Sequence, residues 1–543
     1  MQVAADEFDY VIVGGGAAGC VLAARLAERP GVTICLLEAG PGDRDPWLHI
    51  PAGFIKVVFG SRYTWGFQTE PGPHIDGRRL SAIQGRVLGG SASINGMIYV
   101  RGQAQDFDDW AAAGNPGWSH ADVLPYFRKT ERRVGAGEQG QYRGHLGAIP
   151  VTDLQWREET VDGFVAAAGD IGIPENPDYN GARQDGAGRY QYTIDQGWRQ
   201  NALKRLLRPA LRGGRVDVRT RAVARRVLLD GQRATGVEYE RGGEVRQVRA
   251  RREVILTAGV INTPKLLQLS GIGDPAHLAG VGVEVRHALP GVGLNLRDHY
   301  AARMVYRSRG VTTINELTRG PRLVGQIARW LVGRPNVLSF GLVLGNVFWK
   351  SRPDLDRPDI VITFTPASFA EGLTGKLDTF PGFTVGVWQL RPDSHGFVRI
   401  ASPDPQAPPA IQPNYLAEDR DRQALLGGMR LARSIMAQPR MAAMVERETM
   451  PGDRAASDAD LLAYARAGGH GTYHLVGSAR MGPASDPTAV VDPTLAVHGL
   501  SGLRVADASI MPSMVSGNTM AATMMIAEKA ADLAGAGIPR NSL

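Results

Sequence analysis

The first continuous apolar run is DYVIV at 9–13, rich in β-branched residues and closed by glycines. Such a run predicts a strand buried on both faces. AAGCVLAARLAER (17–29) follows with helical spacing and strong helix formers. VTICLLE (32–38) predicts a second buried strand, ending on Glu38. Far down the chain, DIVITFTP (359–366) and FTVGVWQL (383–390) read as strands, and RQALLGGMRLARSIMAQP (422–439) as a helix. NTMAATMMIAEKAADLAGAG (518–537) predicts a helix that starts after Asn518, runs out in glycines and uses its methionines as core filling. PRLVGQIARWLVGRP (321–335) predicts a basic amphipathic helix with Leu323, Ile327, Trp330 and Leu331 on one side. The expected reading is a helix packed on its own domain. The sharper one is a peripheral contact with a membrane surface that reaches a quinone pool. No stretch of about 20 apolar residues occurs, so no membrane span is expected.

Length and composition narrow this picture. A chain of 543 residues is too long for one ordinary domain, so two or more are expected. Hydrophobic residues at 43% and charged residues at 21% suit a globular protein. The net charge of +7 is mild for this length, and only seven of the 61 basic residues are lysine. The arginine excess reads as a compositional habit. The densest basic run, 204–226, has no interleaved aromatics and no nucleic-acid motif, so it predicts a solvated helix and strand face. No nucleic-acid partner is expected. The two cysteines, Cys20 and Cys35, sit in the apolar strand–helix–strand pattern and read as small buried hydrophobes. The N-terminus runs straight into a strand without a basic and apolar leader, so a reducing, cytoplasmic setting is expected.

The glycines between the first strand and helix carry chemistry. Gly14, Gly16 and Gly19 form G-x-G-x-x-G, with Ala17 and Ala18 at the mouth of the helix. Gly14 permits the tight turn, Gly16 lets backbone approach a pyrophosphate, and Gly19 lets helix and strand pack closely. Glu38 follows where a carboxylate can accept hydrogen bonds from a ribose, which favours FAD or NAD over NADP. No second complete unit of this kind occurs. Electrons are therefore expected to enter a flavin from the substrate itself.

Two further blocks carry a family resemblance. GRVLGGSASINGMIYVRG (85–102) and GVINTPKLLQLSGIG (259–273) resemble the two signatures of the glucose-methanol-choline (GMC) flavin oxidoreductases. The second departs at Val260, where the family has a small or hydroxyl residue or proline. PGVGLNLRDH (290–299) and LRVADASIMPSMVSGNT (503–519) also look like family blocks, and the resemblance runs from about residue 9 to 534. The branch it resembles is that of bacterial choline-dehydrogenase-like and sorbose-dehydrogenase-like alcohol dehydrogenases. The resemblance implies an α/β fold, α+β overall. A Rossmann-type FAD-binding domain would be assembled from 1–155, 205–305 and 470–543. A substrate domain from 156–204 and 306–469 would be built on an antiparallel sheet backed by helices. It also implies FAD contacts at Arg86, Gly89, Gly90, Ser91, Asn95, Gly96, Met97, Val223, Asp507, Ala508, Asn518 and Thr519. In the first signature the glycines, interleaved with Ser91, Ser93 and Asn95, give backbone N–H groups access to a phosphate or flavin edge.

By the same resemblance, His474 in Y-H-x-V-G and Asn518 in S-G-N-T are the catalytic pair facing the flavin. The chemistry suits them. An imidazole can take the hydroxyl proton of an alcohol while hydride leaves its carbon for flavin N5. An amide can orient the alkoxide without taking the proton. His470 is expected to be a loop residue or one that supports the site from behind, and His299 to support structure near the flavin. No HxxH or HExxH pattern occurs, and no metal is expected. Family members that bind FAD covalently use a histidine just before the signature asparagine. Ile94 stands there, so FAD is expected to be non-covalent. The expected reaction is oxidation of an alcohol, primary by preference, with a quinone, a dye or oxygen as acceptor. A hydroxynitrile-lyase-like role on the same fold is the alternative, and Asn518 argues against it. A light-driven decarboxylase would need a cysteine in the substrate region. Trp65, Phe67, Phe340, Phe348, Trp349 and Trp388 are read as pocket walls or core.

Overall fold

The computed structural model describes residues 6–135, 140–153, 156, 158–341, 343–370, 375–453 and 455–535. The outer ends of the expected FAD-binding ranges, 1–5 and 536–543, and the boundary at 155 lie outside the described residues.

The apolar run near the N-terminus forms the strand Glu7–Val13, and the next forms Ile34–Glu38. They pair in parallel, with Tyr10 opposite Ile34 and Val13 opposite Leu37, and the helix Ala17–Ala27 makes the crossover. On the other side of Glu7–Val13 lies the end of a long strand, Glu244–Leu256, also parallel. Val216–Thr220 extends the sheet past Ile34–Glu38, and Leu503–Val505 pairs with the last residues of Glu244–Leu256, both in parallel. The first half of Glu244–Leu256 instead joins an antiparallel meander with Arg233–Arg241 and Ala222–Asp230. The parallel centre is covered on both faces, which is why Val11, Ile12, Leu36, Val254 and Ile255 are all fully buried. Residues from three separate parts of the chain thus meet in one sheet.

A second sheet is antiparallel throughout. Its neighbours run Val445–Met450, Tyr300–Ser308, Gly382–Gln389, Ile360–Thr365, Gly345–Trp349 and Gly186–Arg189. The short strand His470–Gly471 pairs with the start of Tyr300–Ser308. The helices Glu159–Asp170 and Asp419–Met436 back this sheet and share its core, with Phe164 stacked on Phe364 at 4.6 Å and Met429 and Ile435 fully buried. The expected α/β fold with an antiparallel second sheet is therefore present.

The last helix, Met520–Gly535, lies against Ala17–Ala27, and its Met524 and Met525 are core residues as expected. Glu528 locks the two together, accepting from Arg25 Nε at 2.8 Å, from Arg25 Nη2 at 2.9 Å and from Thr130 Oγ1 at 3.0 Å. Cys20 and Cys35 are buried free thiols, and burial pushes both pKa values up. In the basic run 204–226, Arg205, Arg208, Arg225 and Arg226 are paired with acids and partly solvated as expected, whereas Arg219 is buried and paired with Asp6 and Asp217.

The helix Gly320–Leu331 departs from the expected packing. It forms, but none of its residues is buried. Trp330 is half-buried against Trp198, with ring centroids 4.8 Å apart, while Val324, Ile327, Leu331 and Val332 are exposed. The amphipathic pattern is present, and of its apolar side Trp330 packs on Trp198 while Ile327 and Leu331 stay exposed.

Candidate active site

The glycine turn is built by close contact. Gly14 has φ +107°, and a Cβ there would stand 2.3 Å from the Thr257 carbonyl oxygen. A Cβ on Gly19 would stand 2.0 Å from the Gly14 carbonyl oxygen, so Gly19 serves helix packing and does not itself line the cavity. Gly16 and Gly90 face each other, and a Cβ on Gly90 would lie 2.7 Å from Gly16 Cα. Two backbone surfaces without side chains therefore form the cradle, and the helix Ala17–Ala27 begins at it. That arrangement fits a pyrophosphate. Glu38 closes the unit, accepting from Gly15 N at 2.8 Å and Gly40 N at 2.7 Å. Burial pushes its pKa up to about 7 against those bonds.

The large cavity of the molecule runs from this cradle to His474. Of the residues expected at the cofactor, Gly14, Gly16, Ala17, Ala18, Glu38, Gly90, Ser91, Asn95, Gly96, Met97, Val223, Asp507, Ala508, Asn518 and Thr519 line it. Gly19, Arg86 and Gly89 do not. Arg86 lies over the Trp65 ring at 4.9 Å, and Gly89 N donates to Gly15 O at 2.7 Å, bracing the two glycine loops together. Asp507 lines the cavity, but its carboxylate is held by Gly259 N at 2.9 Å, Thr263 Oγ1 at 2.7 Å and Ser509 N at 2.8 Å. Asn95 is likewise engaged, accepting from Arg199 Nη1 at 2.7 Å and Met97 N at 3.1 Å. Arg199 was not expected. It is fully buried behind the signature loop and also donates to Ala92 O at 3.2 Å.

At the other end the catalytic candidates meet. His474 Nε2 lies 2.8 Å from Asn518 Nδ2. His299, expected only to support structure, lies directly behind, its Nδ1 3.0 Å from His474 Nδ1. His299 Nε2 is 2.8 Å from the Leu390 carbonyl oxygen, which can only accept. In neutral His299 that fixes the proton on Nε2 and leaves Nδ1 as an acceptor. His474 must then donate from Nδ1, so its Nε2 carries the lone pair, and the Asn518 amide donates to it. Thr472 Oγ1, 2.8 Å from His474 Nδ1, shares the same side of the ring. The chain of bonds therefore sets a basic Nε2 facing Asn518.

Burial keeps both imidazoles neutral. It pulls the His299 pKa down to about 4, and it holds His474 well below the ordinary range, with His299 adding to the effect. Asp298 anchors the backbone, accepting from His474 N at 2.7 Å and Tyr415 OH at 2.6 Å, and burial pushes its own pKa up to about 7. Tyr473, next to the base, takes a left-handed φ of +65°, which is uncommon for a bulky residue and clusters at functional sites. His470 is not a cavity residue. It sits in the strand paired with Ala301, and burial draws its pKa down to about 3. Of the expected aromatic walls, Trp65 lines the cavity, while Phe67, Phe340 and Phe348 are core. Trp349 is half-buried, and Trp388 stands against the histidines, its ring centroid 6.3 Å from that of His474. Phe54, Phe59 and Tyr473 complete the aromatic lining.

Comparisons with known proteins place the chain in a family. Family models described as GMC oxidoreductase match residues 8–301 and 392–527. An "Alcohol dehydrogenase [acceptor]" of Pseudomonas putida is 38% identical over 97% of this chain and 95% of its own. The mitochondrial choline dehydrogenase of Homo sapiens is 40% identical over 97% of this chain and 90% of its own. Among solved structures, pyridoxine 4-oxidase from Mesorbium loti superposes with a TM-score of 0.87 at 28% identity, covering 97% of this chain and 98% of that one. A cradle of facing glycines, a buried acid beyond it, and a basic imidazole nitrogen beside an amide thus sit on a chain that belongs to the GMC oxidoreductases.

Proposed function

We propose that this protein oxidises an alcohol to the aldehyde with FAD, using His474 as base. The observation that carries the reading is the row Leu390 O, His299, His474 and Asn518, which places His474 Nε2 2.8 Å from the Asn518 amide nitrogen and from which the unprotonated Nε2 is inferred. FAD held at the cradle of Gly14, Gly16 and Gly90 would supply a hydride acceptor for the alcohol carbon. His474 Nε2 takes the hydroxyl proton. Asn518, whose N–H caps that nitrogen at 2.8 Å, gives up the bond as the hydroxyl proton arrives and turns its N–H to the alkoxide oxygen, without competing for the proton. His299 keeps the acceptor nitrogen turned toward the substrate. The helix Met520–Gly535 begins two residues after Asn518, and its N-terminus supplies positive potential where negative charge develops. A panel of primary alcohols, run with an artificial electron acceptor and separately with oxygen, tests this. Turnover with at least one class of alcohol supports it, and turnover with none contradicts it.

The FAD is held without a covalent bond. Ile94 lines the cavity where a histidine linkage would form, and it packs beside Val57, Val58 and Val87. Acid precipitation should release yellow FAD into the supernatant and leave a colourless pellet. Flavin fluorescence that stays with the protein band on a denaturing gel would contradict this.

The division into an FAD-binding domain of 1–155, 205–305 and 470–543 and a substrate domain of 156–204 and 306–469 is supported by the two sheets. The strand Tyr300–Ser308 crosses one of those boundaries. We further infer that the acceptor is a quinone or dye rather than oxygen, reached from a bilayer surface. The exposed Val324, Ile327, Leu331 and Val332 support this, as do Arg319, Arg329 and Arg334 on and beside the helix Gly320–Leu331. Vesicles with anionic lipid should sediment the protein in low salt. Ile327→Glu with Leu331→Glu should leave it in the supernatant. Equal sedimentation of both proteins, or peroxide formed as fast as dye is reduced, would contradict this.

A further inference from the structure

Among the described residues, one cation lining the cavity has no hydrogen bond or ion pair from its side chain. Arg303 lies on the strand Tyr300–Ser308, opposite Gly386. Its neighbours Ala302 and Met304 are fully buried in the core behind the sheet, so strand alternation turns Arg303 to the opposite face. There it is half-buried and lines the same cavity as Thr472, Tyr473 and His474. Among the described residues no carboxylate pairs with it. Its recorded side-chain neighbour is the Phe369 ring, 5.8 Å from the guanidinium carbon. Burial draws its pKa down, and the groups that oppose this are the phenols of Tyr473 and Tyr464, not acids. Arg101 and Arg143 meet Glu131 and Arg504 meets Glu253, whereas Arg199, which also lacks a carboxylate, spends donors on the Asn95 and Ala92 oxygens. A guanidinium removed from water without a counter-ion is costly, and an arriving anion removes that cost.

The rest of the lining points the same way. The acids among the described lining residues are Glu38 and Asp507, and both hold protein hydrogen bonds. Neither is left to meet a cationic head group. A trimethylammonium substrate wants an aromatic cage with a carboxylate, and here it would face a fixed positive charge. The planar fork of an arginine matches a carboxylate in two parallel bonds.

We infer that Arg303 is the specificity-determining residue of this site and binds a carboxylate on the substrate, so that the preferred substrates are primary alcohols bearing a carboxylate away from the hydroxyl. This rests on the alcohol-oxidation reading and names its substrate class. Choline, the substrate named for several relatives, is then disfavoured by charge.

The experiment compares ω-hydroxy acids, their methyl esters of equal length, and choline as reductants of the bound flavin under anaerobic conditions. Wild type, Arg303→Gln and Arg303→Lys are used, each checked for FAD content. The wild type should favour the hydroxy acid over its ester by roughly 30-fold or more in kcat/KM. Arg303→Gln should bring that ratio near unity, with Arg303→Lys in between. In a second arm, a short-chain carboxylate without a hydroxyl is titrated against the flavin spectrum, and its Kd should rise about tenfold or more in Arg303→Gln. A wild type that prefers the ester or choline overturns the assignment, as does an Arg303→Gln variant that keeps the ratio. If no alcohol of any charge reduces the flavin, the alcohol-oxidation reading fails instead, and the carboxylate titration decides the role of Arg303 by itself.

Discussion

Replacing His474 with alanine lowers kcat/KM for the alcohol by roughly two to four orders of magnitude, the usual effect of losing a positioned general base. The FAD content stays close to that of wild type. The side chain of His474 touches His299, Thr472 and Asn518, and none of these belongs to the glycine cradle. Removing the imidazole leaves the cradle at Gly14, Gly16 and Gly90 unchanged. Asn518 cannot take over, because an amide does not accept a proton at neutral pH. A variant with more than about half the parent activity would remove His474 from the mechanism.

The second large effect is expected at His299. Its Nε2 is committed to the Leu390 carbonyl at 2.8 Å, and its Nδ1 then dictates which nitrogen of His474 carries hydrogen. His299→Ala releases that constraint, and His474 can present Nε2–H, which is useless as a base. Loss of tautomer control behind a catalytic histidine is severe elsewhere, so a fall of about 100-fold in kcat/KM is expected. The pH profile separates this positioning role from a merely structural one. In the wild type the working form is the neutral imidazole, and burial with His299 depresses its pKa. Activity should therefore stay level as pH falls through about 6.5, the ordinary histidine value, and drop only well below it. Removing His299 removes one of the depressing influences, so the acid limb should move upward toward neutral pH. A variant with reduced activity but an unmoved limb would make His299 a packing residue only.

The nucleotide end of this site was legible because all its parts are local. The strand, turn, helix and acid lie within residues 8–40, and periodicity places each one. His474 and Asn518 became readable only through short blocks resembling known ones, and the structure then brought them together. The role of His299 was not readable. It lies 175 residues before His474, and its value depends on a carbonyl at Leu390 that no pattern marks. Arg303 shows the same limit in another form. Strand alternation says that it opposes Ala302, but only the fold says that one face is core and the other cavity. The helix Gly320–Leu331 is the reverse case. Its amphipathic pattern was plain, yet the same pattern serves a helix packed on a domain and one left open, and here Trp330 packs while Ile327 and Leu331 stay exposed.

The most direct test of the whole account is anaerobic mixing of the yellow holoenzyme with a primary alcohol while the visible flavin band is followed. The account predicts that the band bleaches with formation of one aldehyde per flavin, and that His474→Ala with equal FAD content bleaches at least about 100-fold more slowly. A flavin that stays oxidised with every alcohol, or a variant that bleaches as fast as wild type, would contradict it.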